Sequence, residues 1–187
     1  MARNTSWHPP RSPWGLIQED LYPDEWKCIV VCILLNCTSR KQIEKILSEF
    51  FHRWPGPTEL CSEDPSNIES LISCLGFGKR RTTRLLEMSS KYLKGDWKHV
   101  SELPGVGEYA TRMWEIFFQG KIGDEPPNDG ALKLYWYWMK LRDWKLLADQ
   151  EIFDAIPMDE ERQKRTSPRY PGTQPHESSF GVEGTTT

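Results

Sequence analysis

Apolar residues recur at helical spacing along most of this 187-residue chain. From Asp24 to Asn36 the residues after Lys27 are almost all apolar, which predicts a buried helix capped by the aspartate. The β-branched run at 29–31 leaves a buried strand as the alternative. We favour the helix because the sequence has no second strand-like run with which a strand could pair.

A second amphipathic helix is predicted over residues 40–54, with Ser39 as its N-cap and its apolar side chains on one face. Pro55, Gly56 and Pro57 end this pattern. Shorter helices are predicted further on, over residues 65–74, 79–93, 97–103, 108–118, 130–141 and 144–156.

These patterns predict an all-α protein of about nine or ten short helices, with nine tryptophans supplying an aromatic core. Residues 1–12 are expected to form an extended N-terminal segment, and residues 13–156 a single folded domain. Residues 157–187 contain almost nothing apolar and are expected to form a disordered polar tail.

Bulk charge does not predict a nucleic-acid partner, because 24 Lys and Arg stand against 27 Asp and Glu, for a net charge of −3. The charge is unevenly distributed. Residues 79–121 hold nine basic and five acidic side chains, a local excess of four positive charges. A solvated helix face would explain this excess equally well.

The five cysteines, at positions 28, 32, 37, 61 and 74, form no paired spacing. The first three lie in or beside the apolar segment and are expected to be buried free thiols. No cysteine follows Cys74, so a C-terminal four-cysteine iron–sulfur loop is excluded, and no zinc pattern is present. The longest apolar run, 28–35, is too short to span a membrane, and we expect no membrane association and a reducing intracellular setting.

The most informative motif is the run Leu-Pro-Gly-Val-Gly-Glu-Tyr-Ala at residues 103–110. Two glycines surround one apolar residue, after a proline and before a helix-forming run, which predicts a tight hairpin between helices. Such a hairpin turns backbone N–H groups outward, where an anion can bind. We therefore expect Gly105, Val106 and Gly107 to hold a phosphate of a nucleic-acid backbone.

This hairpin, followed by Asp129 twenty residues after Tyr109, resembles the helix-hairpin-helix DNA glycosylase superfamily. The resemblance covers about residues 7–156 and is nearest to the branch of mismatch-specific thymine/uracil glycosylases that carry methyl-CpG-binding domains. It implies two helical lobes with a DNA groove between them. The other matching landmarks lie at residues 9–13, 16–19, 26–27, 35–39, 75–76, 92–93, 97–98 and 127–129.

The resemblance implies that Asp129 is the catalytic carboxylate, although local sequence alone would make it a helix N-cap. Strand-cleaving relatives carry a lysine that forms a Schiff base at the position of Tyr109. A tyrosine there implies a monofunctional glycosylase without lyase activity. Tyr109, Gln18 and the neighbouring Ile17 are expected to form the pocket for the extruded base.

Three basic side chains, Lys79, Arg81 and Arg112, are expected to contact the DNA backbone. A turn that resembles the family's wedge loop places Leu75 and Phe77 on either side of a glycine, and either could fill the stack beside the extruded base. Leu75 is also a candidate for the core. Cys37 occupies the position of the arginine that enters this gap in relatives.

Two departures from the family pattern bear on activity. A thiol at Cys37 cannot bond as a guanidinium does, and Ala131 replaces a lysine two residues after the aspartate. Besides a glycosylase for thymine, uracil or 5-substituted uracil opposite guanine, the sequence therefore leaves open a weak or inactive DNA-binding module, or a glycosylase for another lesion.

The resemblance further implies a nuclear monomer that acts on double-stranded DNA with a mispaired or damaged base. No catalytic metal and no cofactor are expected, although carbonyl groups of the hairpin could hold a structural monovalent or divalent cation. No methyl-CpG-binding domain is expected within these 187 residues.

Overall fold

The computed structural model describes residues 7–143, which form helices and no strands. The first six residues, the predicted helix at 144–156 and the predicted tail lie outside this range. The α-helices are α1 Ile17–Leu21, α2 Glu25–Leu35, α3 Arg40–Arg53, α4 Pro57–Cys61, α5 Pro65–Ile72, α6 Gly78–Lys94, α7 Glu108–Gln119 and α8 Gly130–Asp143. Two 3₁₀ turns lie at Ser73–Leu75 and Val100–Glu102.

Helix α2 is the central element of the core. Asp24 caps it by accepting a hydrogen bond from the Lys27 N–H at 3.0 Å, and nearly all of its side chains are buried. Helices α1, α3, α6 and α7 all contact α2. The apolar segment is therefore a helix, as the sequence predicted.

The remaining helices form two groups that share α2. In one group α6 packs on α4 and α5, and α3 packs on α5. In the other, Phe117 of α7 stacks on Tyr135 of α8 with ring centroids 5.0 Å apart. The N-terminal segment joins this second group, because the Tyr135 hydroxyl donates to the Pro10 carbonyl at 2.8 Å. This arrangement confirms the all-α fold.

Two short helices were missed by the sequence analysis. Helix α1 has no Ser, Thr, Asp or Asn at its N-cap; instead Glu19 reaches back to accept from the Leu16 N–H at 2.9 Å. Helix α4 begins at Pro57, which serves as its first residue. Proline favours that position because its missing N–H would be unsatisfied there anyway.

The first arm of the hairpin is shorter than predicted. Only Val100–Glu102 is helical, because the Glu102 carboxylate accepts from the N–H groups of Lys98 and His99 and closes a single turn. Leu103 is then extended, as expected of a residue before proline.

The expectation of three buried thiols needs correction at one position. Cys28 and Cys32 are buried in α2, but Cys37 is exposed, because the helix ends at Leu35 and the chain turns. In residues 7–143 no helix is long and apolar enough to cross a bilayer.

Candidate active site

Asp129 lies at the N-terminus of α8, where it caps the helix as predicted. Its Oδ1 accepts hydrogen bonds from the N–H groups of Ala131 and Leu132, both at 2.9 Å. The residue is half-buried, and its Oδ2 has no partner among the described residues. The preceding Asn128 donates to Glu108 at 2.9 Å, which ties this loop to the start of α7. One oxygen of the carboxylate is therefore fixed and the other remains open.

Gln18 and Tyr109 meet across two helices. Each is the second residue of its helix, α1 and α7, and the Gln18 Nε2 donates to the Tyr109 hydroxyl at 2.8 Å. Gln18 is only 1% exposed. The sequence predicted both residues for one pocket, and the structure brings them into contact.

Cys32 of α2 completes this cluster and was not predicted. Its Sγ lies 3.6 Å from the Gln18 Nε2. Both N–H groups of the amide are therefore used, while no described residue donates to its Oε1. The only sequence signal was the spacing of Cys28 and Cys32, one turn apart on α2; the Cys28 Sγ lies 3.8 Å from the Gln18 carbonyl.

The electrostatics of the cluster link it to Asp129. Burial raises the pKa of Cys32 to about 12, hydrogen bonds from Gln18 and Tyr109 oppose this rise, and the charge of Asp129 adds to it. Burial, Cys32 and then Asp129 also raise the pKa of Tyr109 well above its ordinary value. Tyr109 is therefore a neutral phenol at physiological pH. Four elements thus meet at one site: α1, α2, the start of α7 and the start of α8.

Ile17 precedes Gln18 in α1, and its side chain lies in the hydrophobic core at 7% exposure. Its place in a base pocket remains a prediction.

The glycine hairpin turns in front of α7. Gly105 has φ +78°, and a Cβ added there would lie 3.1 Å from the Arg84 Cβ. Both the backbone conformation and the limited space therefore favour glycine at this position. Gly107 is the exposed N-cap of α7, and Val106 between them is half-buried. The N–H groups of both glycines lack an acceptor in the described part of the chain. The hairpin therefore offers unpaired donors at a helix N-terminus.

The predicted backbone-binding side chains differ in availability. Lys79 is exposed at the start of α6. Arg112 is half-buried, pairs with Glu115 at 3.1 Å and donates to the Glu125 carbonyl at 2.7 Å. Arg81 is buried, and its guanidinium binds protein oxygens. The prediction that Arg81 contacts DNA phosphate therefore needs correction.

The predicted wedge residues also differ in exposure. Leu75 is 5% exposed and belongs to the core, so it is unavailable to enter a base stack. Phe77 is 70% exposed, with φ +54° at the N-cap of α6. Cys37 is exposed, with φ +57°. Phe77 and Cys37 are the two non-glycine residues with positive φ in the described range.

No group of three or more His, Cys, Asp or Glu side chains within residues 7–143 could hold a metal ion.

Comparison with known proteins connects this chain to DNA repair. Residues 30–170 match the family described as HhH-GPD superfamily base excision DNA repair protein. Over 139 residues the chain is 38% identical to a methyl-CpG-binding domain protein 4-like protein of Arabidopsis thaliana, covering 74% of this chain and 31% of that protein. Over 94 residues it is 31% identical to a thymine-DNA glycosylase of Aeropyrum pernix, covering 46% and 42%.

Among solved structures, a thermostable thymine-DNA glycosylase superposes with a TM-score of 0.51 at 22% identity. The superposition covers 61% of this chain and 54% of that one, and shows a shared fold. The chain spans between 31% and 42% of the length of the curated relatives that it matches.

Proposed function

Because the chain belongs to the HhH-GPD superfamily of base excision DNA repair proteins, we propose that it is a monofunctional DNA glycosylase. It removes thymine, uracil or a 5-substituted uracil mispaired with guanine and leaves an abasic site. The observation that carries the proposal is the contact between Gln18 and Tyr109, together with the charge of Asp129, which is near enough to raise the pKa of Tyr109. Relatives named as thymine-DNA glycosylases support the choice of base.

Asp129 supplies the catalytic carboxylate. Hydrolysis of an N-glycosidic bond builds positive charge on the sugar as the base departs, and a nearby carboxylate stabilises that charge and orients or deprotonates water. Capping of α8 holds Oδ1 in place, which leaves Oδ2 for the sugar or the water. The rigid capping geometry reduces the reorganisation needed during the reaction.

Gln18 recognises the extruded pyrimidine. Since its two N–H groups bind Tyr109 and Cys32, its Oε1 is the group that remains to accept a hydrogen bond. Uracil and thymine carry an imino N–H that can donate to such an acceptor, whereas the corresponding nitrogen of cytosine cannot. The neutral Tyr109 ring provides a stacking surface beside the base.

The proposed reaction ends at the abasic site. Strand cleavage by relatives needs an amine that attacks the sugar, and Tyr109 has none. The phenol also stays protonated, so it does not act as a nucleophile at physiological pH.

DNA would bind along the hairpin, and Phe77 would replace the extruded base. The unpaired N–H groups of Gly105 and Gly107 suit a phosphate, and Lys79 adds positive charge nearby in sequence to Phe77. Extrusion costs a few kcal/mol of stacking, which an inserted exposed aromatic ring offsets. We further propose a nuclear monomer that needs no cofactor, with hairpin carbonyls that could hold a structural monovalent or divalent cation.

A panel of duplexes tests the proposal. The protein is incubated with U·G, T·G, C·G and alkylated-purine duplexes, and alkali then converts abasic sites into strand breaks. We expect alkali-dependent breaks at U·G and T·G alone. Breaks at the alkylated purine would indicate a glycosylase for another lesion. Binding to every duplex without breaks would indicate an inactive DNA-binding module. Breaks without alkali, trapped by borohydride, would contradict the monofunctional mechanism.

A further inference from the structure

Arg81 is a buried arginine that donates hydrogen bonds to neutral oxygens. It lies in the first turn of α6, is 5% exposed, and has no carboxylate partner in the described part of the chain. Its Nη1 donates to the Leu34 carbonyl. Its Nη2 donates to the Asn36 carbonyl at 2.7 Å and to the Thr38 hydroxyl at 2.6 Å, with the Leu75 carbonyl at 3.4 Å.

Apart from the Leu34 carbonyl, these acceptors lie on two separate loops. Leu34 is in the last turn of α2, and residues 36–38 form the turn that carries Cys37. Leu75 ends the 3₁₀ turn just before Phe77. Each loop thus holds one exposed non-glycine residue in the left-handed region, and the same guanidinium binds the first loop through two short hydrogen bonds and reaches the second through a longer, shared one.

Such a conformation is unfavourable for any residue other than glycine. It persists when surrounding contacts leave no alternative. The fork of the guanidinium suits this task, because its donors reach several acceptors in fixed directions. Its positive charge also lies at the C-terminus of α2, where carbonyl groups lack helical partners.

We propose that Arg81 is a positioning residue that holds Cys37 and Phe77 in the arrangement in which they enter the DNA stack beside the extruded nucleotide. The expected effect on excision rests on the proposed glycosylase function, whereas the contacts between Arg81 and the two loops do not depend on it. Arg81 acts through the two loops and touches neither the base nor the sugar.

Hydrogen exchange on the full 187-residue chain tests the geometry without any activity. The Thr38 amide donates to Leu35 and the Gly76 amide to Ser73, both at 3.0 Å, and each bond closes one of the two loops. In Arg81→Lys we expect both amides to exchange about tenfold faster, since the ammonium cannot bridge both loops. The turn amide of Val106, away from these loops, is expected to keep its rate.

Thr38 provides a gentler matched pair in case Arg81→Lys folds poorly. Thr38→Val removes one acceptor of the guanidinium, whereas Thr38→Ser keeps the hydroxyl. We expect faster exchange at residues 36–38 in the valine variant alone. Equal exchange in both Thr38 variants, together with unchanged exchange in Arg81→Lys, would overturn the proposal.

Excision kinetics test the consequence for base extrusion. Single-turnover rates are compared on uracil opposite guanine and on uracil opposite an abasic site, where less stacking and pairing must be lost. We expect Arg81→Lys to lower the rate on U·G about tenfold more than on the unpaired uracil. Leu60→Ala removes a buried side chain of α4 and serves as a destabilised control in which both rates change equally.

The outcomes separate this inference from the proposed function. If the wild-type protein excises no base, the proposed function fails, and hydrogen exchange alone decides whether Arg81 orders the loops. If Arg81→Lys lowers both rates by the same factor, the residue stabilises the fold without positioning the wedge, and the inference fails while the glycosylase stands.

Discussion

At the scale of the residue, Asp129 combines two tasks in one carboxylate. Its Oδ1 caps α8 through two N–H groups, and its Oδ2 remains for chemistry. Asparagine can keep the cap but cannot stabilise positive charge as a carboxylate does. Stability and activity can therefore be separated at this position.

Two substitutions of Asp129 test this separation. We expect Asp129→Ala to lower the free energy of unfolding by about 1 kcal/mol through loss of the cap, and Asp129→Asn to leave it nearly unchanged. Urea denaturation measures both. An equal loss of stability in the two variants would contradict the capping role.

A substitution of Tyr109 tests whether its hydroxyl positions the Gln18 amide. Tyr109→Phe removes the acceptor of the Gln18 Nε2 and leaves a buried N–H unpaired, so we expect excision to fall about tenfold. Tyr137→Phe alters an exposed ring of α8 and serves as the control, for which no change is expected. Wild-type single-turnover rates in Tyr109→Phe would show that this contact does not position the amide.

Local sequence marked some site residues better than others. Asp129 was recognisable as an N-cap, and the family resemblance brought Gln18 and Tyr109 into one predicted pocket. Cys32 and the true partners of Arg81 could not be predicted, because both depend on how α2 packs against distant elements. A buried arginine bound to carbonyls leaves no pattern in the sequence around it.

At the scale of the element, aspartate N-caps marked the start of three predicted helices, whereas α6 and α7 were predicted although no side chain caps them. Asp24, Asp64 and Asp129 begin α2, α5 and α8, and in each the carboxylate accepts N–H groups of the first turn. Helix α1 escaped prediction because its cap comes from Glu19. The helix before the hairpin was predicted too long. The apolar residues in 97–103 pack against the rest of the molecule without forming a continuous helix.

The two hairpin glycines differ in how well their positions tolerate a side chain. Gly105 has positive φ and contacts Arg84, so we expect Gly105→Ala to cost about 1–2 kcal/mol of stability. Gly107 has negative φ and open space around its Cβ position, so Gly107→Ala is expected to cost less, about 0.5 kcal/mol, because only the preference of the N-cap for glycine over alanine is lost. Urea denaturation of both variants measures the difference. A larger loss for Gly107→Ala would contradict this description of the turn.

At the scale of the whole molecule, buried groups set the response to alkaline pH. Burial raises the pKa of Cys32 from the ordinary thiol value of 9.0 to about 12, and also raises that of Tyr109. Above pH 9 the unfolded chain loses the thiol proton while the folded protein keeps it. The folded state then binds more protons, so its stability falls as pH rises.

We therefore expect the free energy of unfolding to decrease between about pH 9 and 12, by up to about 1.4 kcal/mol per pH unit for each such group. Cys32→Ser removes this titrating thiol and should make the decrease shallower. Denaturation curves at pH 8 and 10 measure the effect. An identical slope in wild type and variant would show that Cys32 does not contribute.

The overall charge of −3 gave no hint of a DNA partner, whereas the hairpin and its downstream aspartate did.

We propose that Asp129 drives excision of a mispaired pyrimidine. Single-turnover excision from a T·G duplex tests it most directly, with Asp124→Asn as the control, since Asp124 is an exposed aspartate of the same loop. Wild type and Asp124→Asn should excise thymine equally, and Asp129→Asn should be at least about 10²-fold slower while binding the duplex equally well. Excision by Asp129→Asn at the wild-type rate would contradict the account.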